Sequence, residues 1–100
     1  MTIKYYNPTP KTSKIEYFRK RKAFCENIGL LVRRDGINAM SSRAGIPILN
    51  IDGCTVITYR PELRDIPLIE MGGKEEDIRR AKSRLEVLIG IKLKETKRRN

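Results

Sequence analysis

Histidine and tryptophan are absent from this chain of 100 residues, and only two cysteines, Cys25 and Cys54, are present. Without histidine there is no imidazole to act as a general base, so a Ser-His-Asp or Cys-His catalytic site is excluded. Two isolated thiols do not provide the four ligands of a zinc site, and they fall far short of a disulfide-rich secreted domain. We therefore predict neither a metal site nor a cofactor.

Long apolar runs are also missing. No stretch approaches the roughly 18 residues of a membrane-spanning helix, and residues 1–6 lack the apolar run of a signal peptide. These absences predict an intracellular protein, cytoplasmic or nuclear (or of the nucleoid), with no membrane or small-molecule partner. Four loop carboxylates, considered as ligands for Mg²⁺, follow no diagnostic spacing, so no enzymatic activity is predicted. They are Asp52, Glu62, Asp65 and Glu70.

Positive charge dominates what is present. Lys and Arg number 22 and Asp and Glu number 12, so the formal net charge is +10. Such a surplus is typical of proteins that bind a polyanion, because the folded chain otherwise repels itself. The basic residues form two clusters: Lys14, Arg19, Lys20, Arg21 and Lys22, and then Lys92, Lys94, Lys97, Arg98 and Arg99. One such run is equally consistent with a solvated protein face and with an anionic partner. Two runs together favour a nucleic-acid partner.

In the N-terminal third, local patterns leave two questions open: the role of the tyrosines near the start, and whether residues 15–24 form a helix or a strand. Residues 1–13 predict an extended arm, in which Tyr5 and Tyr6 either stack on bases or pin the arm to the core. Ser13 and Glu16 then form a capping box, which favours a helix. The β-forming side chains of residues 15–24 keep a strand as the alternative.

The remainder of the chain predicts a helix, three short strands and a second helix. Residues 37–45 carry apolar side chains at helical spacing and end in Gly45, which predicts a helix of about eight residues. Strands are expected over residues 46–51, 54–59 and 66–71. Asp52 and Gly53 predict a tight hairpin between the first two strands. Residues 74–89 have one apolar face and acidic residues at the start, which predicts an amphipathic helix that Gly90 ends.

In its residues the chain resembles a KH domain over most of its length. Residues 29–40 are similar to the first helix, the GxxG turn and the start of the second helix of that family. Residues 44–48 resemble the passage into the second strand, residues 66–72 the third strand, and residues 74–89 the final helix. Arg33 stands where the family has the first glycine of GxxG.

This resemblance implies an α+β fold, with a three-stranded antiparallel sheet packed by helices, over residues 14–91. A basic tail over residues 92–100 would follow it. The resemblance to KH domains also implies that single-stranded RNA, favoured over DNA, binds at the basic turn of residues 33–36 and in an adjacent apolar groove. The predicted nucleic-acid-binding residues are Arg33, Arg34, Gly36, Asn38, Arg43, Arg19, Lys20, Arg21, Lys22, Lys97, Arg98 and Arg99. Ile28, Leu31, Ile37, Met40, Ile46 and Ile48 would line the groove or the core beneath it.

Two other functions are consistent with the same residues. In a winged helix-turn-helix regulator, residues 37–45 would enter the major groove of duplex DNA, Arg43 could read guanine, and the hairpin at Asp52 and Gly53 would be the wing. A helix over residues 15–24 favours this alternative, whereas a strand there favours the KH arrangement. In a structural component of a ribonucleoprotein particle, the basic termini would bind RNA.

Overall fold

Six strands and three helices make up the part of the chain that the structure, a computed structural model, describes. This part is residues 1–43, 46–60 and 66–97, and for residues 40–43 only the backbone is described. The strands are β1 (Thr2–Pro8), β2 (Asn38–Arg43), β3 (Ile46–Ile51), β4 (Cys54–Thr58), β5 (Ile69–Gly73) and β6 (Leu93–Thr96), and the helices are α1 (Lys14–Glu26), α2 (Ile28–Asp35) and α3 (Glu75–Ile89). The strands form one antiparallel sheet in the order β2-β3-β4-β5-β1-β6.

The helix predicted to follow the capping box is confirmed as α1. The backbone N–H of Glu16 donates to the Ser13 hydroxyl at 3.0 Å, which satisfies one of the free donors of the first turn. The side chains of Tyr17 and Phe24, which belong to this helix, are buried. The strand alternative for residues 15–24 is therefore wrong.

The helix predicted over residues 37–45 is wrong, because residues 38–43 form β2. Gly36 ends α2 in the left-handed conformation at φ 68°, and Ile37, which is 1% exposed, then anchors the chain in the core. Pairing of β2 with β3, interrupted by an irregularity between Ala39 and Ser41, satisfies the backbone groups of the segment. Asn and Ser are weak helix formers, so this long-range pairing prevails over the apolar spacing. The predicted ending at Gly45 lies outside the described residues.

The predicted hairpin is confirmed. Asp52 and Gly53 both have positive φ, 52° and 88°, as a two-residue hairpin turn of the favoured hand requires. The side-chain oxygen of Asn50 accepts a hydrogen bond from the N–H of Gly53 at 3.2 Å and closes the turn. This turn sets the register of β3 against β4, with Ile51 opposite Cys54.

Neither terminal segment is a loose appendage, so the three-stranded sheet is wrong and the sheet has six strands. The predicted arm contains β1, which pairs with β5 on one side and β6 on the other. Within the predicted basic tail, Leu93–Thr96 is β6. Burial of Tyr6 and Leu93 explains both corrections, because each strand contributes an apolar side chain to the core.

All three helices pack on one side of the sheet, which we call the covered face. Their buried side chains form a single cluster with alternate residues of the strands. The strand members include Tyr6, Leu49, Ile51, Val56, Ile69 and Met71, and the helix members include Tyr17, Phe24, Leu31, Ile78, Ala81 and Leu85. The amphipathic helix predicted near the C-terminus is confirmed as α3, which Gly90 ends at φ 85°.

Candidate functional site

The opposite side of the sheet, which we call the open face, has a continuous row of side chains. Strand register places Ile48 opposite Ile57, Ile57 opposite Glu70, Glu70 opposite Tyr5, and Tyr5 opposite Thr96. Directly opposed residues in antiparallel strands share a face, so these five side chains form one line. At about 4.8 Å per strand the line is about 19 Å long. Each of the five is half-buried.

A second row beside the first adds small and apolar groups to the open face. It consists of Asn50, Thr55, Gly72 and Ile3 in register across four strands. Gly72 contributes no side chain, and Ile3 is 50% exposed. Asn38 lies opposite Asn50 on β2 and extends this row toward the sheet edge. A surface of aliphatic, aromatic and small polar groups therefore lies on the side of the sheet that carries none of the described helices.

One carboxylate lies within this surface, and a tyrosine holds it. The Tyr59 hydroxyl donates to Oε1 of Glu70 at 3.1 Å. The N–H of Tyr59 continues the ladder beyond β4 by donating to the carbonyl of Leu68 at 3.0 Å. The alternation of β4 thus places Tyr59 on the open face with Ile57. Glu70 is therefore oriented by a neighbour and still half-exposed.

A groove at one end of the open face contributes basic side chains. Its volume is about 340 Å³, and both Lys14 and Lys94 line it. Lys94 lies opposite Asn7, two residues along β1 from Tyr5, so the groove continues the open face. The side-chain amide of Asn7 donates to the carbonyl of Pro67 at 2.5 Å and fixes the wall of the groove. Cationic groups thus border the apolar row at its β6 end.

The predicted turn at residues 33–36 lies on the helical side, away from the open face. Arg33 and Arg34 are exposed in the last turn of α2, where cations complement the helix dipole. Arg34 pairs with Asp35 at 3.2 Å. Arg34 and Lys20 also line a groove of about 460 Å³ between the three helices. The structure therefore brings two predicted residues together beside apolar side chains.

The other predicted binding residues are dispersed. Arg19 and Lys22 are exposed on α1, and Lys97 is exposed after β6. The Lys20 ammonium donates to the carbonyl of Gly90 at 2.8 Å and pairs with Glu16 at 3.3 Å. The side chain of Arg43, and the whole of Arg98 and Arg99, lie outside the described residues.

Arg21 has a structural position. Its side chain is 8% exposed, and Nε donates to the carbonyl of Thr58 at 2.9 Å. It therefore links α1 to the end of β4 beneath the sheet, and burial removes it from the surface to which it was assigned. The cationic run of α1 is thus divided between the core and the solvent.

Acidic groups are largely neutralised within the chain, whereas several cations are not. Asp52 pairs with Arg84 at 3.0 Å, and Lys4 lies 3.3 Å from Glu75 and 3.5 Å from Glu95. Further pairs join Arg80 to Asp77 and Lys82 to Glu86. Within the described residues, Arg19, Lys22 and Arg33 have no ion-pair partner. The excess positive charge is therefore exposed on the helical side as well as at the β6 end.

The groups with perturbed ionisation lie on the covered face. Burial raises the pKa of Tyr6, of Tyr17 and of the Cys54 thiol. The pKa of Lys4 is raised, chiefly by its hydrogen bond to Glu75. These shifts follow from packing and ion pairing beneath the helices, so they mark structural positions.

The carboxylates considered for Mg²⁺ do not converge. Asp52 is held by Arg84 at the β3–β4 turn, Glu70 lies on the open face, and Glu62 and Asp65 lie outside the described residues. Among the described residues, no group of three or more His, Cys, Asp or Glu side chains could hold a metal ion.

Sequence reasoning found part of the open face. It allowed Tyr5 either stacking or anchoring, and the structure divides these roles: Tyr6 anchors in the core while Tyr5 lies on the open face. It missed Tyr59 and Ile57 as surface groups. Both faces of residues 54–59 carry β-forming side chains, so the segment predicts a strand but no pattern within it identifies the exposed face.

No helix in the described part of the chain has both the length and the apolarity needed to cross a bilayer. Comparison of the chain with protein-family models, with curated protein sequences and with solved structures finds no match.

Proposed function

We propose that this protein binds single-stranded nucleic acid, RNA in preference to DNA, on the open face of its sheet and without chemistry. One observation carries the proposal: a continuous row of half-buried side chains, aliphatic or aromatic apart from Glu70 and Thr96, lies on the face of the sheet opposite the described helices, in a chain of net charge +10. Unstacked bases are flat and apolar on their faces and are joined by anionic phosphates. They are therefore the ligand that complements a flat apolar surface bordered by cations.

The row is suited to two or three bases, about the number that an RNA-binding sheet of similar size stacks. Tyr5 offers a partly exposed ring near the middle, and Ile57 and Ile48 extend the apolar surface toward β3. Lys94 and Lys14, in the groove at the β6 end, are placed for phosphates. Thr55 and Thr96 supply hydroxyls on the same face, which can bind the 2′-OH of RNA.

Unpaired cations on the helical side support binding without touching the bases. Arg19, Lys22 and Arg33 contribute to a positive potential that attracts a polyanion over a distance of about 8 Å at physiological ionic strength. We expect these residues to accelerate association, while the open face determines which ligand is retained.

The direct test compares two substitutions of the same kind on opposite sides of the protein. Ile57→Glu adds a charge to the open face, and Val87→Glu adds one at a position on α3 that is 81% exposed. We expect Ile57→Glu to weaken binding of short single-stranded RNA more than tenfold and Val87→Glu to weaken it less than threefold. Fluorescence anisotropy at about 150 mM salt measures both effects. Equal losses would disprove the open-face assignment.

Folding and alternative occupants are controlled in the same experiment. Thermal denaturation shows whether Ile57→Glu folds, and Ile3→Glu replaces it if it does not, because Ile3 is half-exposed on the same face. Tighter binding of duplex DNA than of single strands would also count against the proposal. Light scattering that shows a dimer broken by Ile57→Glu would assign the open face to a second copy of the chain.

A second candidate is a structural component of a ribonucleoprotein particle. The observation that favours it is cationic surface on both sides of the protein, at Arg19, Lys22 and Arg33 and again at Lys94. Such a component would contact RNA on two sides. Co-sedimentation with large particles that survives Ile57→Glu, but is lost on Arg33→Glu with Lys22→Glu, would favour this candidate.

A further inference from the structure

Glu70 is out of place on a surface that receives a polyanion. It lies in the middle of the open-face row, between Ile57 on β4 and Tyr5 on β1. A carboxylate there repels phosphates, and its position costs affinity unless it contacts something other than the backbone of the ligand. The Tyr59 hydroxyl, which donates to Oε1 at 3.1 Å, orients this carboxylate.

An ionised carboxylate can only accept hydrogen bonds, so it selects among bases by their donors. The Watson–Crick edge of guanine presents two adjacent donors, N1–H and the N2 amino group, which match the two oxygens of one carboxylate. Adenine and cytosine each offer one amino donor beside an acceptor nitrogen. Uracil offers one N–H between two carbonyl oxygens, and these oxygens would face the carboxylate unfavourably.

We infer that Glu70 makes the open face selective for guanine in single-stranded nucleic acid. This inference rests on the proposed function and adds a base preference to it. A guanine lying beside Tyr5 directs its Watson–Crick edge at Glu70, with N1–H and N2–H donating to the two carboxylate oxygens. Each oxygen has two lone pairs, so Oε1 accepts from guanine while it still accepts from Tyr59. The tyrosine thus holds the carboxylate in the orientation that guanine requires.

The experiment measures binding of oligouridines that differ only at one central nucleotide. We expect guanosine at this position to bind about tenfold more tightly than adenosine, cytidine or uridine, the usual effect of one good bidentate pair with a base. Inosine, which lacks only the N2 amino group of guanosine, should lose most of this advantage. An equal affinity for inosine and guanosine would show that the bidentate contact is absent.

Substitutions then assign the preference to a residue. Glu70→Gln keeps the size of the side chain but leaves one acceptor oxygen, which can accept from N1–H while the new amide donates to O6, so the N2 amino group loses its partner and the advantage of guanosine over inosine should disappear. Affinity for plain oligouridine should rise slightly, because a negative charge has been removed. Tyr59→Phe should reduce the preference without abolishing it. Glu26→Gln is the matched control, since Glu26 is an exposed carboxylate at the end of α1 and should leave the preference unchanged.

The outcomes separate this inference from the proposed function. Binding that is independent of the central base, yet sensitive to Ile57→Glu, would overturn the role of Glu70 and leave the open face as a general platform. Absence of binding to every oligonucleotide would overturn both. An advantage of guanosine over inosine that persists in Glu70→Gln would assign base selection to another residue.

Discussion

The two faces of the sheet are built from the same strands but have opposite characters. Leu49, Val56 and Met71 point into the covered face and are fully buried, whereas their neighbours Ile48, Ile57 and Glu70 point to the open face and remain half-exposed. Apolar burial stabilises the fold in proportion to the area removed from water. The covered face therefore carries the stability, and the open face is available for a ligand.

The largest expected difference between the faces is in stability. Met71→Ala removes a fully buried side chain, and we expect it to lower the free energy of unfolding by about 3 kcal/mol. Ile48→Ala, on the open face, should cost about 1 kcal/mol, because the side chain is already partly in water. Chemical denaturation measures both values. Equal costs would mean that something in the folded chain covers the open face.

Burial of ionisable groups in the core should make the stability depend on pH in the alkaline range. In the folded state Tyr17, Tyr6 and Cys54 have raised pKa values, so they keep protons that the unfolded chain releases. Stability is therefore complete below about pH 8.5, the usual pKa of a thiol, and falls as the pH rises through the range in which thiols and then phenols ionise in the unfolded chain.

Tyr17→Phe sharpens this expectation. The buried Tyr17 hydroxyl has no hydrogen-bond partner among the described residues, so its removal should raise the free energy of unfolding at neutral pH by about 1 kcal/mol. The loss of stability above about pH 10 should also become smaller. Denaturation curves at neutral and alkaline pH provide the measurement. An unchanged alkaline loss would rule out Tyr17 as its main source.

The smallest expected effect is on the salt dependence of the binding affinity. Substitutions in the two cationic regions, one on each side of the sheet, allow the regions to be compared. Lys94→Gln should reduce the slope of log affinity against log salt by about 0.7, the value for one phosphate contact on a single strand. Arg33→Gln should slow association, most strongly at low salt, and should reduce that slope by less than Lys94→Gln does. Stopped-flow and equilibrium titrations over a range of salt separate the two effects. The reverse result would place the nucleic acid on the helical side, at the turn that the sequence first indicated.

Local signals were sufficient where a short segment determines its own structure. The capping box at Ser13 predicted α1, the acidic start and apolar face predicted α3, and Asp52 with Gly53 predicted the hairpin. Each signal depends on neighbours within a few residues. The sequence pattern could therefore be interpreted without knowledge of the rest of the fold.

Signals failed where distant pairing decides the structure. Residues 37–45 have a helical spacing of apolar groups, but β3 recruits Asn38–Arg43 as β2. Strand β1 was interpreted as an arm because its partners lie far along the chain, at β5 and β6. The candidate site was missed for the same reason, because Tyr5 and Glu70 become neighbours only when β1 pairs with β5.

The position of β1 also affects when the protein can fold. A ribosome releases residues 2–8 well before the strands that flank them in the sheet, Ile69–Gly73 and Leu93–Thr96. The hairpin of β3 and β4 can form on the nascent chain, but the sheet stays divided until the last strand is free. We therefore expect the complete sheet to form only once residues 93–96 are available, and folding to be slow, as is typical when contacts join distant residues. Until then, the apolar residues of β1 remain exposed to chaperones.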